Sequence, residues 1–484
     1  MSISSAMSSA LSGLTVSSRA AEVISSNIAN ALTEGYARRE VQVSVRRVGD
    51  AGQGAQVSGV HRDVNGFLMA DRRLAGARAA DLDLREGFFS RLEGQLGNPQ
   101  DSASLTGRIA TLDAALIAAA SRPDNEARLS ALADAATGLT AGFRTIADDL
   151  QTARSEADSR IAQQVSEVNH ALVGIANLNG HIVSFSSGSR DTSALQDQRQ
   201  QLIDQISTII PLREVQDSAG RVTLYTGGGA VLLDGRPTEL GFAKVGVITP
   251  DMTLASGALS GLTLKGRPLR TDATGPLSGG SLGALFAIRD QLAVEAQAGL
   301  DAVARDLVDR FQDPALDATR APGAAGLFTD HGLEFNPVDE VGLSQRLMLN
   351  AATVPQSGGA LWRLRDGLGS ATPGPVGESA LLNALHQALA APRLTLSGGF
   401  SPAQRSLPGL AAQLASGVAT NRLTAQKDAS FSSARAEALR VMELEGGVDT
   451  DREMQDLLLI ENAYAANAKV IQTMDQMLQL LLGM

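Results

Sequence analysis

The two ends of the chain carry apolar residues at alternating steps of four and three positions. Near the N-terminus the row runs through Ile3, Met7, Ala10, Leu14, Ser17, Ala21, Ile24, Ile28 and Ala31. At the other end it runs through Leu457, Ile460, Tyr464, Asn467, Ile471, Met474, Leu478 and Leu481. This spacing is typical of helices that pack side by side in a coiled coil. Each end therefore predicts a helix that buries one face against a partner.

The spacing does not identify the partner of either terminal helix. The surroundings of the first row are mostly Ser, Asn and Ala, which gives an isolated helix little stability. The two rows can bury against each other, either parallel or antiparallel, and an ordinary two-helix core is the plainer interpretation. The polar members Ser17 and Asn467 either set the register by hydrogen bonding across the pair or face solvent at its rim.

Between the ends, the pattern of apolar positions changes several times. Val41, Val43 and Val45 alternate with polar residues, a turn follows at Gly49, Asp50, Gly52 and Gly54, and Val57 and Val60 resume the alternation. Period-two spacing returns from about residue 213 to 275, around Gly227-Gly228-Gly229. Both stretches predict strands joined by turns.

Helical spacing dominates the rest of the chain. It covers residues 74–210, with breaks near Gly97–Pro99 and Arg122–Pro123, and then 281–311, 379–390 and 402–444, before Gly446-Gly447. The predicted fold is mainly α with an inserted β domain, an α+β multidomain chain of discontinuous, layered domains whose N- and C-terminal helices pair in a coiled-coil-like core. The predicted domains are a terminal helical core of residues 1–40 plus 445–484, a helical body of 41–212 plus 281–444, and a β domain of 213–280.

Composition and charge narrow the classes of function. The 484 residues are 44% hydrophobic but only 3% aromatic, which favours Ala/Leu helices over an aromatic-rich ligand pocket. A formal net charge of -11 gives no general attraction to nucleic acid or anionic membrane, so neither is a predicted partner. The first residues lack a basic leader followed by an unbroken apolar run, so no cleaved signal peptide is expected.

No residue pattern of a catalytic, cofactor or metal site stands out. The five histidines, His61, His170, His181, His331 and His386, are scattered, and the chain contains no cysteine. Gly227-Gly228-Gly229 lacks the Lys-Ser/Thr of a phosphate-binding loop and is better explained as a hairpin turn. We therefore predict a protein that is not an enzyme and has no cofactor. The alternative is an enzyme carried on an export scaffold, with its activity in residues 213–378.

Motifs at both ends resemble those of one protein family. Ser25-Ser26-Asn27-Ile28-Ala29-Asn30-Ala31, followed by Gly35-Tyr36 and Arg38, is similar to the N-terminal signature of the flagellar rod, hook and hook-associated proteins. Gly447-Val448-Asp449, Glu453-Met454 and the stretch from Ala463 to Ile471 resemble its closing segment. One departure is the turn Thr33-Glu34-Gly35-Tyr36-Ala37, which keeps the Gly and Tyr of the family pattern and lacks its Pro.

Interior segments resemble the hook-associated branch of this family. They are Val60-His61-Arg62-Asp63 with Phe67-Leu68, Phe88-Phe89, residues 194–206 (ALQDQRQQLIDQI), Tyr225 to Gly228 with Leu232 to Gly235, and residues 279–290 (GGSLGALFAIRD). The resemblance implies a structural subunit of the bacterial flagellum at the junction of hook and filament. A hook or distal-rod subunit of the same family is the alternative.

The resemblance also implies a location, partners and an assembly interface. Subunits of this family pass through a type III export channel, so the expected location is the extracellular flagellum, without a cleaved signal peptide. The expected partners are further copies in a junction ring, the hook subunit, a second junction protein adjoining the filament, and an export chaperone at the C-terminal segment. The predicted assembly interface comprises Ile3, Met7, Leu14, Ile24, Asn27, Ile28, Asn30, Gly35 and Tyr36, with Leu457, Ile460, Tyr464, Asn467, Ile471, Met474, Leu478 and Leu481.

Overall fold

Long helices form most of the structure. The computed structural model describes residues 3–33, 35–48, 51–97, 100–187, 190–395 and 397–483. Its helices are α1 (Ile3–Asn30), α2 (Gly66–Leu96), α3 (Leu105–Ser121), α4 (Glu126–Ser187), α5 (Ser193–Ser207), α6 (Gly280–Ala287), α7 (Ala293–Phe311), α8 (Leu343–Arg346), α9 (Arg363–Asp366), α10 (Ala380–Ala390), α11 (Leu407–Glu445) and α12 (Thr450–Leu482).

The strands are short except in the first hairpin. They are β1 (Arg38–Val48), β2 (Ala51–Asp63), β3 (Leu212–Gln216), β4 (Val222–Thr226), β5 (Val231–Asp234), β6 (Arg236–Pro237), β7 (Leu240–Gly241), β8 (Leu262–Leu264), β9 (Arg267–Leu269), β10 (Phe328–Asp330), β11 (Leu347–Leu349), β12 (Arg393–Leu394) and β13 (Gln404–Arg405). All pairings are antiparallel: β1-β2, β3-β4-β5-β6, β7-β8-β9, β10-β11 and β12-β13.

Polar side chains define where several helices begin. Asn65 accepts a hydrogen bond from the amide of Leu68 at the start of α2, and Ser406 accepts one from Gly409 at the start of α11. Asp449 accepts from the amides of Asp451 and Arg452 at the start of α12. These side chains satisfy backbone N–H groups that have no partner within the first helical turn. The residue Asp449 of the C-terminal motif is thus a helix cap.

The hydrophobic core extends along most of α4, a helix of 62 residues and about 93 Å. Leu132, Leu139 and Phe143 in the first third of α4 are fully buried and belong to the same cluster as Leu300 and Leu307 of α7. Beside it, α2 and α11 pack along each other as an antiparallel pair. Arg72 pairs with Glu443 at one end of this helix pair, and Glu93 pairs with Arg422 at the other.

A buried arginine joins the β insertion to the helical body. Arg289 donates to the Asp158 carboxylate at 2.6 Å and to the Ser260 carbonyl at 3.0 Å, and both charged side chains are fully buried. Asp158 in turn accepts from the amide of Val245 at 2.6 Å. Because a buried ion pair needs every remaining polar group satisfied, these bonds hold the segment around residues 245–260 against α4.

The structure confirms the predicted class of fold: it is mainly helical, with inserted strands and with its terminal helices packed together. The predicted helix breaks after residues 96 and 121 are present, and Gly227-Gly228-Gly229 lies in the turn between β4 and β5. The strands β10 to β13 were not predicted, because segments of two or three residues are too short to show a period-two pattern. The proposed division into three domains stays a prediction.

Candidate assembly interface

The helices at the two ends of the chain pack against each other in antiparallel orientation. Asn27, near the end of α1, donates to the Glu453 carboxylate near the start of α12 at 2.9 Å. Gly13, in the first half of α1, lies against the side chain of Asn467, in the second half of α12. The two choices of orientation that the spacing left open are therefore resolved in favour of the antiparallel pair.

The predicted row on α12 lies along this contact. Leu457, Ile460, Asn467, Ile471, Met474 and Leu478 are half-buried, while most other positions of the helix are exposed. Tyr464 is the exception within the row, since 48% of it is exposed. Ile3 and Leu481 belong to the two helices, but their side chains lie outside the described part of the chain.

On α1, the contacting face is rotated relative to the predicted row. Gly13 and Asn27 both meet α12 and are 14 residues apart, so they lie on one helical face. Ile24 is buried next to this face, whereas Leu14 and Ile28 are half-buried and Met7 is 37% exposed. Glycine at position 13 lets the two helices approach closely on this face.

Among the residues that the structure describes, Asn467, the polar member of the α12 row, makes no hydrogen bond to α1. The Asn467 amide donates to the Ala463 carbonyl of its own helix at 3.0 Å. A Cβ atom at position 13 would lie 2.7 Å from the Asn467 amide nitrogen, so the fit between these residues is steric. Ser17 is 8% exposed and is not at a solvent-facing rim.

Asn27 is the polar centre of the site and is completely buried. Its oxygen accepts from the Tyr36 hydroxyl at 2.9 Å and from the Arg39 amide at 3.0 Å. Its nitrogen donates to the Arg39 carbonyl and the Glu453 carboxylate, both at 2.9 Å. All four hydrogen-bonding positions of the amide are therefore used.

Glu453 receives a second partner from the first strand. Arg38 donates to its carboxylate at 2.6 Å, and Glu453 is only 1% exposed. Burial opposes the charge on Arg38, yet its hydrogen bonds to Glu40 and Glu453 raise its pKa above the ordinary value. One buried carboxylate thus joins α1, β1 and α12.

The turn after α1 explains the remaining residues of the N-terminal motif. Asn30 donates to the Ser26 carbonyl at 2.9 Å in the last turn of the helix. Gly35 has a φ of +78°, and a Cβ atom there would lie 2.7 Å from Gln201. Only glycine satisfies both conditions. The chain then returns so that Tyr36 reaches Asn27, with the Arg39 guanidinium 4.7 Å from the centre of the Tyr36 ring.

A second polar cluster ties the first hairpin to α5. Asp197 accepts from Arg62 at 2.9 Å and from Arg39 at 2.7 Å, and Asp197 and Arg62 are both buried. Two helical turns further along α5, Asp204 accepts from Arg72 at 2.9 Å and from Arg73 at 2.6 Å. The segment 194–206, whose sequence resembled the family, therefore holds four arginines of the N-terminal part of the chain.

The predicted interface lacked five charged residues of these two polar clusters. They are Arg38, Arg39, Arg62, Asp197 and Glu453. Apart from Arg39, which belongs to no quoted motif, they were visible only as parts of motifs, because charged residues carry no periodic apolar signal. The apolar periodicity gives no signal for the buried Arg199 of α5 either. It donates to the side-chain oxygen of Asn179 at 2.8 Å and to the Gly220 carbonyl at 2.7 Å, and burial lowers its pKa to about 10.

Several exposed positions of the terminal helices are apolar. Leu458, Leu459 and Leu480 of α12 are 55%, 66% and 71% exposed, and Leu11 of α1 is 60% exposed. Within the described ranges, no group of three or more acidic or histidine side chains is arranged to hold a metal ion. In the same residues, no helix combines the length and the apolar character needed to cross a membrane. The exposed leucines suit these helices to packing against other protein.

Comparison with known proteins identifies three family segments in the chain. Residues 89–326 match the model of the flagellar hook-associated protein FlgK helical domain. Residues 445–484 match the flagellar basal body rod FlgEFG protein C-terminal model, and residues 7–36 match that of the flagella basal body rod protein. The two end matches cover α12 and most of α1, the helices that form the pair described above.

Curated relatives carry one name. Flagellar hook-associated protein 1 of Salmonella typhimurium (strain LT2) is 26% identical over 334 residues, which cover 67% of this chain and 59% of that protein. The protein of the same name from Escherichia coli (strain K12) is 24% identical over the same shares. The one from Bacillus subtilis (strain 168) is 23% identical over 96% of this chain and 95% of its own length. The match thus spans about 59% of the length of the enterobacterial relatives.

A solved structure is also similar in part. The flagellar hook junction protein FlgK from Burkholderia pseudomallei superimposes with a TM-score of 0.45 at 21% identity, over 54% of this chain and 46% of that one. The order of the three matched segments and the shared name of the relatives agree with the motifs at both ends. In the three matched segments and along most of its length, the chain is therefore similar to proteins named flagellar hook-associated protein 1.

Proposed function

We propose that the chain is a structural subunit of the bacterial flagellum at the junction of hook and filament, and that it polymerises through its paired terminal helices. The observation that carries this proposal is the buried Asn27–Glu453 contact, which joins two segments matched separately by flagellar rod-protein models. The proposed partners are further copies in a junction ring, the hook subunit and a second junction protein adjoining the filament.

The runner-up is a hook or distal-rod subunit. The rod-protein matches cover only the two ends, whereas residues 89–326 match the hook-associated helical domain. That region includes α5, whose aspartates hold the first hairpin and α2. The interior of the chain therefore favours the junction over the hook or rod.

The proposal also covers the export of the subunit and its lack of enzymatic activity. The family is one of structural flagellar proteins, and we propose that this chain likewise has no enzymatic role. We further propose that it is exported without a cleaved signal peptide, and that an export chaperone covers α12. The exposed leucines of that helix support the last point, because an apolar stripe in the free subunit needs cover.

Deletion of the gene tests the proposed location. We expect electron microscopy of the deletion strain to show hooks without filaments, and we expect filament subunit to appear in the medium. Filaments of normal length on the deletion strain would contradict a role at the junction. Absence of both hook and filament would instead favour the rod alternative.

A charge in the α12 row tests the assembly interface. Ile471→Asp removes a half-buried apolar contact worth about 1.5–3 kcal/mol and adds the cost of burying a carboxylate. We expect cells carrying this variant to export it and to swim no better than the deletion strain. Gln472→Asp is the matched control, because Gln472 is exposed on the next position. Equal swimming by both variants would count against the interface.

A further inference from the structure

All sulfur atoms of the chain are thioethers, because it contains ten methionines and no cysteine. Peroxides oxidise a thioether that is open to solvent to a sulfoxide. A sulfur that is buried, or whose lone pair already accepts a hydrogen bond, reacts more slowly. Exposure and hydrogen bonding therefore decide which of these methionines form a modification site.

Two methionines of the body have sulfur atoms that accept hydrogen bonds. The amide of Thr249 donates to the Met252 sulfur at 3.3 Å, and the Arg73 guanidinium donates to the Met69 sulfur at 3.4 Å. Both methionines are half-buried. These two positions are therefore protected from an oxidant in solution.

Three methionines lie together near one end of the α1–α12 pair. Gly13 lies against Asn467, which fixes the register of the pair. Met7 comes six residues before Gly13 on α1, and Met474 comes seven residues after Asn467 on α12. Because the helices are antiparallel, both methionines lie about 10 Å from this contact, on the same side of it. Met477 follows about one turn later, and we call the three residues the terminal methionine cluster.

The two flanking members of the cluster are open to solvent. Met7 and Met477 are 37% and 38% exposed. Met474 belongs to the row of α12 that packs along α1, and it is half-buried. An oxidant therefore reaches the flanking sulfurs first, and it reaches Met474 when the ends of the two helices separate.

We propose that the terminal methionine cluster is a modification site for peroxides, and that its oxidation separates the adjoining ends of α1 and α12. With hydrogen peroxide the O–O bond breaks, one oxygen atom binds to the sulfur, and water is released as the thioether is oxidised to a sulfoxide. The new S=O group of Met474 is polar. Its neighbours in the row, Ile471 and Leu478, have no side-chain donor for such a group.

The proposal concerns the helix pair of a single chain, and it therefore goes beyond the proposed function. The same pair is the proposed assembly interface, so oxidised subunits would assemble poorly. That consequence alone rests on the proposed function, whereas the modification and the separation of the helix ends are measured on the free chain.

Peptide mass spectrometry of the purified chain after brief exposure to hydrogen peroxide tests the modification site. We expect Met7 and Met477 to gain one oxygen atom before Met69 and Met252 do. The exposed Met348 of β11 gives the rate of an accessible sulfur outside the cluster. Oxidation of Met7 and Met477 no faster than that of Met69 and Met252 would overturn the proposal.

Hydrogen exchange of the oxidised chain tests the separation of the helix ends. We expect peroxide to speed exchange in residues 470–480 of the native chain about tenfold. The variant Met7→Leu/Met474→Leu/Met477→Leu keeps the apolar character and nearly the volume of the three side chains, so we expect it to fold. Its exchange in the same residues should not respond to peroxide.

The matched control is Met348→Leu/Met442→Leu/Met454→Leu, which removes three exposed methionines outside the cluster. We expect this control to respond to peroxide as the native chain does. Faster exchange in the peroxide-treated cluster variant, or unchanged exchange in a native chain whose cluster is oxidised, would overturn the proposal. Neither result bears on the proposed function, which the gene deletion tests separately.

Discussion

At the scale of single residues, the buried amide of Asn27 shows how one side chain specifies a site. It makes two donor and two acceptor bonds, which an aspartate in the same place cannot reproduce. An aspartate would also place a second carboxylate against Glu453. Leaving such groups unpaired in the interior costs about 1–3 kcal/mol each. Position 27 therefore tolerates fewer substitutions than an ordinary polar position.

The carboxylate of Glu453, which accepts from Asn27, is the subject of a first prediction. Glu453→Ala leaves the Arg38 guanidinium and the Asn27 amide without a shared partner, and breaking a buried ion pair in this way costs about 3 kcal/mol. We expect faster hydrogen exchange at the start of α12. Glu461→Ala, at an exposed position of the same helix, should change stability by less than about 1 kcal/mol. Similar exchange in the two variants would contradict the role of Glu453.

Asp301 supplies a prediction about pH. Its carboxylate accepts from Ser344, Gly342 and Gln297, but burial outweighs these bonds and raises its pKa. An acid with a raised folded-state pKa contributes stability that is complete below its unfolded pKa of about 3.9. That contribution is lost as the pH rises through the folded-state pKa.

Urea unfolding of the native chain and Asp301→Asn measures this effect. We expect the native chain to lose stability relative to the variant as the pH rises above about 4. The direction follows because the native chain then carries a buried charge that the variant lacks. A difference in the free energy of unfolding that is independent of pH would show that Asp301 titrates normally.

At the scale of elements, Gly13 and Asn467 determine how closely α1 and α12 approach. Gly13→Ala places a Cβ atom 2.7 Å from the Asn467 amide, so we expect lower thermal stability despite the better helix propensity of alanine. Gly417→Ala in α11 is the matched control, since a Cβ atom there meets nothing within 4 Å. It should raise stability by about 0.5–1 kcal/mol.

A double variant separates steric fit from helix propensity. Asn467→Ala removes the side chain that the new methyl group meets, so Gly13→Ala/Asn467→Ala should recover much of the loss. A Gly13→Ala chain as stable as Gly417→Ala would contradict the close approach of the two helices.

The spacing of apolar residues predicted the terminal helices and their pairing, but not the face that α1 uses. Periodicity locates a stripe by side-chain hydrophobicity, and Gly13 contributes none, although it marks the closest approach. For the same reason the buried groups Arg62, Asp197 and Glu453 were visible only within motifs. Charges become part of an interior only when tertiary structure brings their partners together.

At the scale of the whole molecule, α5 connects the terminal region to the body. Asp197→Ala leaves Arg39 and Arg62 without their shared carboxylate, and we expect the hairpin β1-β2 to detach from α5. X-ray scattering should then show a larger maximum dimension. Asp191→Ala, which breaks the exposed pair with Arg19, should leave the scattering curve unchanged. Identical curves for both variants would show that α5 does not fix this orientation.

The antiparallel pair α2–α11 has a consequence for the order of folding. Asn27 and Glu453 are 426 residues apart, and each doubling of a loop adds about 0.6 kcal/mol of closure entropy. Once Arg72 has met Glu443, however, the ends of α2 and α11 already lie together. The terminal helices then search for each other across two short tethers instead of the whole chain. We therefore expect α2 and α11 to pair first and the terminal helices to close last, because that order shortens the loop that the contact between Asn27 and Glu453 must close.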